Sequence, residues 1–304
     1  NQKYNIYITG SNAKMLSREI ATTLGGRFWN KDVYPYSFAE YLNARDIILS
    51  KNWMYGKQAA EVSKAFNDYF LYGGFPELTD VIAKRVWLND IYSKIFFSDL
   101  IVRNKVRNEE ALGLLVRRLA ENVKQPVSYT RLANLISSIG IKISKATVIE
   151  FIRYLKESCL IFPIENYAAK FAERNSNMKH YFIDNGLLSI FLLDGNTSLL
   201  ENIVAIHLYK RYGAQLYFYN QNIEVDFIIP EAKTAIQVSY SLMDETTCRR
   251  EVEGLIKLNR VFPMDNMCII TRDEERIITH ESGVSIHVIP VWKWLLVSKS
   301  DFSL

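Results

Sequence analysis

Residues 224–239 read Glu-Val-Asp-Phe-Ile-Ile-Pro-Glu-Ala-Lys-Thr-Ala-Ile-Gln-Val-Ser, and this stretch constrains the fold more than any other. Two apolar runs flank a Pro-Glu-Ala-Lys segment, the pattern of two neighbouring strands joined by a turn. Strand side chains alternate faces, so Glu224 and Asp226 share one face, and Gln237 and Ser239 share a face of the next strand. The turn sets those faces side by side. Two acids in so apolar a hairpin are either the start of a polar site or a pair of exposed strand-edge charges.

An acid on one strand and an acid-x-lysine triplet on the next is the layout of the PD-(D/E)XK nucleases, which this stretch resembles. In that family the acids hold Mg²⁺ and the lysine positions or activates the attacking water. Hard cations prefer carboxylate oxygens, and phosphodiester cleavage needs a metal to stabilise developing charge. Here Gln237 stands where the second acid is expected and Ser239 where the lysine is expected. Glu201, in the helical run 200–210, supplies a further carboxylate, as a helix before the first strand does in that fold. The resemblance implies a degenerate catalytic set of Glu201, Glu224, Asp226, Gln237 and Ser239, with Asp226 and Glu201 holding metal weakly at most.

With 304 residues, 49% of them hydrophobic, the chain has enough apolar surface for two or three domains. No run of 18 apolar residues occurs, and no membrane partner is expected. Cys159, Cys248 and Cys268 have no C-x-x-C spacing, which points to free thiols in a reducing compartment, the cytoplasm. His180, His207, His280 and His287 form no metal-ligand pattern. Lys and Arg outnumber Asp and Glu by 14 to 10 in residues 1–106 and by 10 to 6 in 107–170, but trail by 13 to 17 in 171–304. A nucleic-acid partner would therefore meet the front and middle of the chain.

The first residues, Asn-Gln-Lys, carry neither an initiator Met nor a signal-peptide pattern, so a truncated front is expected. Tyr4-Asn-Ile-Tyr-Ile-Thr9 reads as a strand, Gly10-Ser11-Asn12 as a polar turn, and Leu16, Ile20 and Leu24 as the stripe of a helix stopped by Gly25-Gly26. These segments, with Leu-Gly-Gly-Arg27-Phe, Tyr34-Pro-Tyr-Ser-Phe-Ala-Glu-Tyr-Leu42, Tyr72-Gly-Gly-Phe-Pro-Glu77 and Glu-Val-Asp-Phe, resemble in order a prokaryotic family of predicted AAA+ ATPases. The likeness covers essentially the whole chain. It implies a nucleotide-sensing role for Ser11 and Asn12 at the sensor-1 position, reading the γ-phosphate. Arg27 is implied either as the arginine reaching a neighbouring subunit's phosphate or as a solvent-facing arginine at a helix end. Homo-oligomerisation through the ATPase part would follow. No G-x-x-x-x-G-K-[ST] loop occurs, so residues 1–304 are not expected to hydrolyse ATP or hold it tightly; ATP and Mg²⁺ belong to the full-length protein.

The fold expected is α/β and multidomain. Residues 1–50 are the C-terminal part of an AAA+ core, and 51–106 a helical lid-like segment whose apolar face includes Val86, Ile91, Ile95 and Phe96. Residues 107–175 suit a winged helix with its third helix capped by Ser144, and 176–304 a restriction-endonuclease-like α/β domain. The outer face of the third helix is read as Ala146, Ile149, Glu150, Arg153 and Tyr154, which leaves Lys145 and Arg153 to contact DNA weakly and without sequence preference. Trp292 and Trp294 are read as core or interface anchors. Two functions remain open: a contact module for DNA or protein attached to an ATPase, or an ATPase-gated, metal-dependent nuclease.

Overall fold

The computed structural model describes residues 7, 29, 31–54, 56–174 and 176–296. Ser11, Asn12 and Arg27, with the sensing roles expected of them, lie outside these residues. The first described helix, α1 (Phe38–Ala44), starts with a reciprocal cap: the Glu40 amide donates to the Ser37 hydroxyl at 3.3 Å, and the Ser37 amide donates to the Glu40 carboxylate at 2.7 Å. In α2 (Lys57–Tyr72), Val62, Ala65, Phe66, Tyr69 and Phe70 recur every three or four residues and form its buried stripe. The helix stops at Gly73, whose φ of 79° favours glycine.

α3 (Lys84–Lys94) continues as π-helical turns over Ile95–Val102. Val86, expected inside, is 61% exposed. Leu88 is fully buried, and on a helix a residue two positions away points to the opposite side.

Next come α4 (Glu109–Glu121), β1 (Val127–Ser128), α5 (Tyr129–Ser137), α6 (Lys145–Glu157), β2 (Ile161–Asn166), α7 (Phe171–Arg174) and β3 (Asn177–Phe182). Leaving α7 aside, the order is helix, strand, helix, helix, strand, strand. β1 and β2 both pair antiparallel with β3.

β2 also pairs in parallel with β4 (Tyr217–Asn220), and through that pairing the sheet continues. β5 (Glu224–Ile229), β6 (Thr234–Val238), β7 (Asn266–Thr271), β8 (Arg276–Thr279) and β9 (Ser285–Pro290) complete a mixed nine-stranded sheet in the order β1-β3-β2-β4-β5-β6-β7-β9-β8. The expected division between residues 175 and 176 falls inside this sheet, between paired strands β2 and β3.

Strand alternation distributes the core to both faces, and in β5 a register shift against β4 between Val225 and Ile228 puts Val225 and Phe227 on opposite sides. Phe227, Ile229, Ile236 and Ile270 join one apolar cluster, while Val225, Ile228, Ala235 and Ile269 join the other. The second cluster lies against α10 (Glu245–Val261); the first is crossed by α9 (Asn196–Tyr212) and the short α8 (Asn185–Ser189). α9 buries Leu199 through Ile206 without a break, as a helix enclosed on all sides must. In the final helix α11 (Val291–Trp294), Trp294 is 1% exposed, and the ring of Trp292 meets Trp53 edge to face at 5.6 Å.

Candidate functional site

β3 builds the site. Its alternation turns Lys179 and Tyr181 to one side, toward α9 and β5. The Lys179 ammonium lies 3.2 Å from Glu201 Oε1 on α9, 3.1 Å from Asp226 Oδ1 and 3.7 Å from Glu224 Oε1 on β5. The Lys179 side chain is wholly buried; Glu224 is 44% exposed and forms the rim. The Tyr181 hydroxyl donates to Glu201 Oε1 at 2.7 Å, and the ring of Phe218 lies 5.6 Å from the ammonium.

These contacts bring together Glu201, Glu224 and Asp226, as the sequence suggested, but around a lysine it did not point to. Gln237 and Ser239 are elsewhere engaged. Beyond the Phe227–Ile236 pair, the Gln237 amide bridges the two strands: its Oε1 accepts from the Asp226 amide at 2.9 Å and its Nε2 donates to the Glu224 carbonyl at 3.1 Å. Gln237 therefore acts as part of the backbone ladder. The Val238 amide in turn donates to Asp226 Oδ2 at 2.9 Å, and the Ser239 hydroxyl donates to the Ser241 carbonyl. Glu251 of α10, also missed, is 6% exposed and held by Arg250 at 2.6 Å, within the field of Asp226 and Glu224.

The donor set does not suit a divalent cation. A metal bridging the three carboxylates would have to share their oxygens with a buried ammonium and accept its repulsion. Among the described residues, no group of three or more His, Cys, Asp or Glu side chains is arranged to hold a metal. The carboxylates hold Lys179 above its ordinary pKa, overcoming burial, so it stays charged. Burial pushes Glu201 up to about 7, against the pull of Lys179 and with added repulsion from Asp226.

A second buried acid lies between this site and the front of the chain. Asp184 caps α8, accepting from the Gly186 and Leu187 amides at 2.8 and 3.4 Å, and its other oxygen accepts from the Gly74 amide at 2.7 Å. Burial pushes it up to about 6 against those bonds. Asp184 and Glu201 thus bind protons more readily folded than unfolded, and through them stability should fall as pH rises from about 4 to 7. Urea midpoints across this range should decline less steeply in Glu201→Gln than in the parent chain. Identical slopes would contradict the assignment.

On α6 the outer face differs from expectation. Tyr154, expected outward, is 9% exposed, and its hydroxyl donates to Glu150 at 2.5 Å. The Arg153 guanidinium sits 5.0 Å from the Tyr154 ring centre and 3.9 Å from Glu150. Arg153 is thus engaged within its own helix, while Lys145 at the helix start is exposed.

Residues 1–42 match the AAA domain family model, and residues 63–198 match a model described as Domain of unknown function (DUF8612). The chain is 32% identical over 96% of its length to "Uncharacterized protein MJ1544" of Methanocaldococcus jannaschii, covering 69% of that protein. It belongs to the family of that protein. A Haemophilus influenzae "Uncharacterized protein" is 31% identical over 84% of this chain, which covers 63% of its length. No solved structure matches. No described helix is long and apolar enough to cross a membrane.

Proposed function

We propose that this chain is the C-terminal portion of an AAA+ ATP-binding protein, inactive as an ATPase in this form, whose winged-helix and degenerate nuclease-like domains mediate contact with DNA or protein. The AAA domain match to residues 1–42 supports the ATPase half. The helix-strand-helix-helix-strand-strand order of residues 109–182 supports a winged helix, and the acidic pair on β5 flanked by α9 supports a nuclease-like ancestry. ATP and Mg²⁺ are cofactors of the longer protein in this reading, and subunit association runs through its ATPase part.

One observation carries the loss of cutting: the Lys179 ammonium lies among Glu201, Asp226 and Glu224, where a catalytic metal would have to sit. DNA affinity is weak, insensitive to sequence and steeply reduced by salt, because Arg153 is tied to Glu150 and Tyr154 and only diffuse basic charge remains. The other reading, an ATPase-gated nuclease, rests on the convergence of the three carboxylates alone and requires a metal to displace the Lys179 ammonium. One assay separates them. Plasmid and linear DNA should stay uncut with 1–304 in about millimolar Mg²⁺ or Mn²⁺, a working range for hard cations. Metal-dependent cutting that Asp226→Ala abolishes would establish the nuclease.

A further inference from the structure

The end of the AAA-matching region is fastened to the same helix that carries Glu201. Tyr34–Ser37 crosses the Gly73-Gly74 loop: the Tyr36 amide donates to the Gly74 carbonyl at 2.7 Å, and the Tyr69 hydroxyl of α2 donates to the Tyr36 carbonyl at 2.9 Å. At the far end of α9, the Lys210 ammonium donates to the Pro35 carbonyl at 2.6 Å and lies 5.6 Å from the Tyr34 ring centre. A side chain at position 74 would collide with the Tyr36 carbonyl, and one at 186 with the Tyr72 carbonyl. These glycines permit the close approach on which the fastening depends.

From Gly74 a buried chain of hydrogen bonds leads inward. The Gly74 amide donates to Asp184, and the neighbouring Asn185 donates to the carbonyls of Phe70 at 2.9 Å and Leu199 at 3.0 Å. Asn202 of α9 donates to Asn185 Oδ1 at 3.0 Å and exchanges bonds with both backbone groups of Phe182 on β3. Glu201 is the next residue along α9, and Lys179 and Tyr181 are its partners on β3. Asp184, Asn185 and Asn202 are all buried and partnered, so displacing one leaves another group unsatisfied.

We infer that Tyr34–Ser37 is a strap whose docking on Gly74, Tyr69 and Lys210 is coupled, through Asp184, Asn185 and Asn202, to closure of the Lys179 ion cluster. Movement of the ATPase-side segment would then loosen or tighten the nuclease-like site without direct contact. The coupling holds whether that site binds partners or cuts. Glu201 and Lys210 lie on one helix and give the strap a rigid second connection to the cluster.

Four amide protons report the two ends: those of Tyr36 and Gly74 at the strap, and those of Asp226, which donates to the Gln237 side chain beside the cluster, and Val238, which donates to the Asp226 carboxylate within it. Hydrogen exchange of 1–304 should be measured in Lys210→Met, which alters the strap end, and in Glu201→Gln, which alters the cluster end. Amides of β7 serve as the global-stability reference. Lys210→Met should speed exchange at Asp226 and Val238 by about tenfold relative to β7, and Glu201→Gln should speed Tyr36 and Gly74 by a similar factor, because coupling between sites is reciprocal. Should Lys210→Met not fold, Tyr69→Phe removes one strap bond and is read the same way. A change confined to the mutated end, or one shared equally by β7, overturns the inference.

Discussion

Lys179→Met is expected to cost about 3–5 kcal/mol of folding stability, the range for breaking a buried ion pair from one side. Methionine fills nearly the same volume, so packing loss contributes little. The cost is electrostatic. Glu201 is 5% and Asp226 14% exposed, and without the ammonium they repel each other in a region that water barely reaches. Glu201 already tends toward protonation, so the variant should recover part of its loss at about pH 5, below the range near 7 in which Glu201 titrates. The double variant Lys179→Met, Glu201→Gln should recover part of it at neutral pH too, because one of the repelling charges is gone. Urea unfolding of the three chains checks this. A loss under about 1 kcal/mol in the single variant would mean that the cluster contributes no more than a surface ion pair does.

Asp184→Ala should be comparably damaging, for a different reason. It leaves the Gly74, Gly186 and Leu187 amides buried without their acceptor, and each unsatisfied donor costs about 1–3 kcal/mol. The expected loss is about 3–5 kcal/mol after some relaxation. Asp184→Asn keeps one carbonyl oxygen and should lose less than half as much, since it preserves either the α8 cap or the Gly74 bond. Equal losses from the two variants would show that the negative charge matters more than the count of acceptors. Thermal and urea unfolding both report the difference.

Much of the architecture was legible because it rests on local pattern. The stripe of α6, Val148, Phe151, Ile152 and Leu155, is buried as its spacing predicts, and Ser144 caps the helix by accepting from the Thr147 amide. The β5–β6 hairpin is present, with Ile229 opposite Thr234 at its closed end. Glu201, Glu224 and Asp226 converge because strand alternation and the preceding helix place them, and both features are visible in one dimension.

The rest depends on pairing between distant segments. Lys179 reaches the acids only because β3 pairs with β2 and β2 with β4, which no local pattern encodes. A signal was nevertheless present: Lys179 interrupts Met-Lys-His-Tyr-Phe-Ile, a strand otherwise too apolar to leave a lysine in solvent. The alternation puts Gln237 on β6 beside the acids, but its bonding is not local: where β5 and β6 part, its amide bonds the backbone of Asp226 and Glu224 and not their carboxylates. Tyr154 departed from its projected face because its long ring folds back over α6, where Glu150 accepts its hydroxyl and Arg153 packs near its ring.

Manganese binding tests the lysine-filled site most directly. Titrating 1–304 with Mn²⁺ and following free Mn²⁺ by electron paramagnetic resonance should show no stoichiometric binding below about millimolar concentration, because the Lys179 ammonium already engages the carboxylate oxygens that would coordinate it and would repel the cation. One Mn²⁺ bound per chain at micromolar concentration, and released by Asp226→Ala, would contradict that reading and place a metal where the ammonium lies.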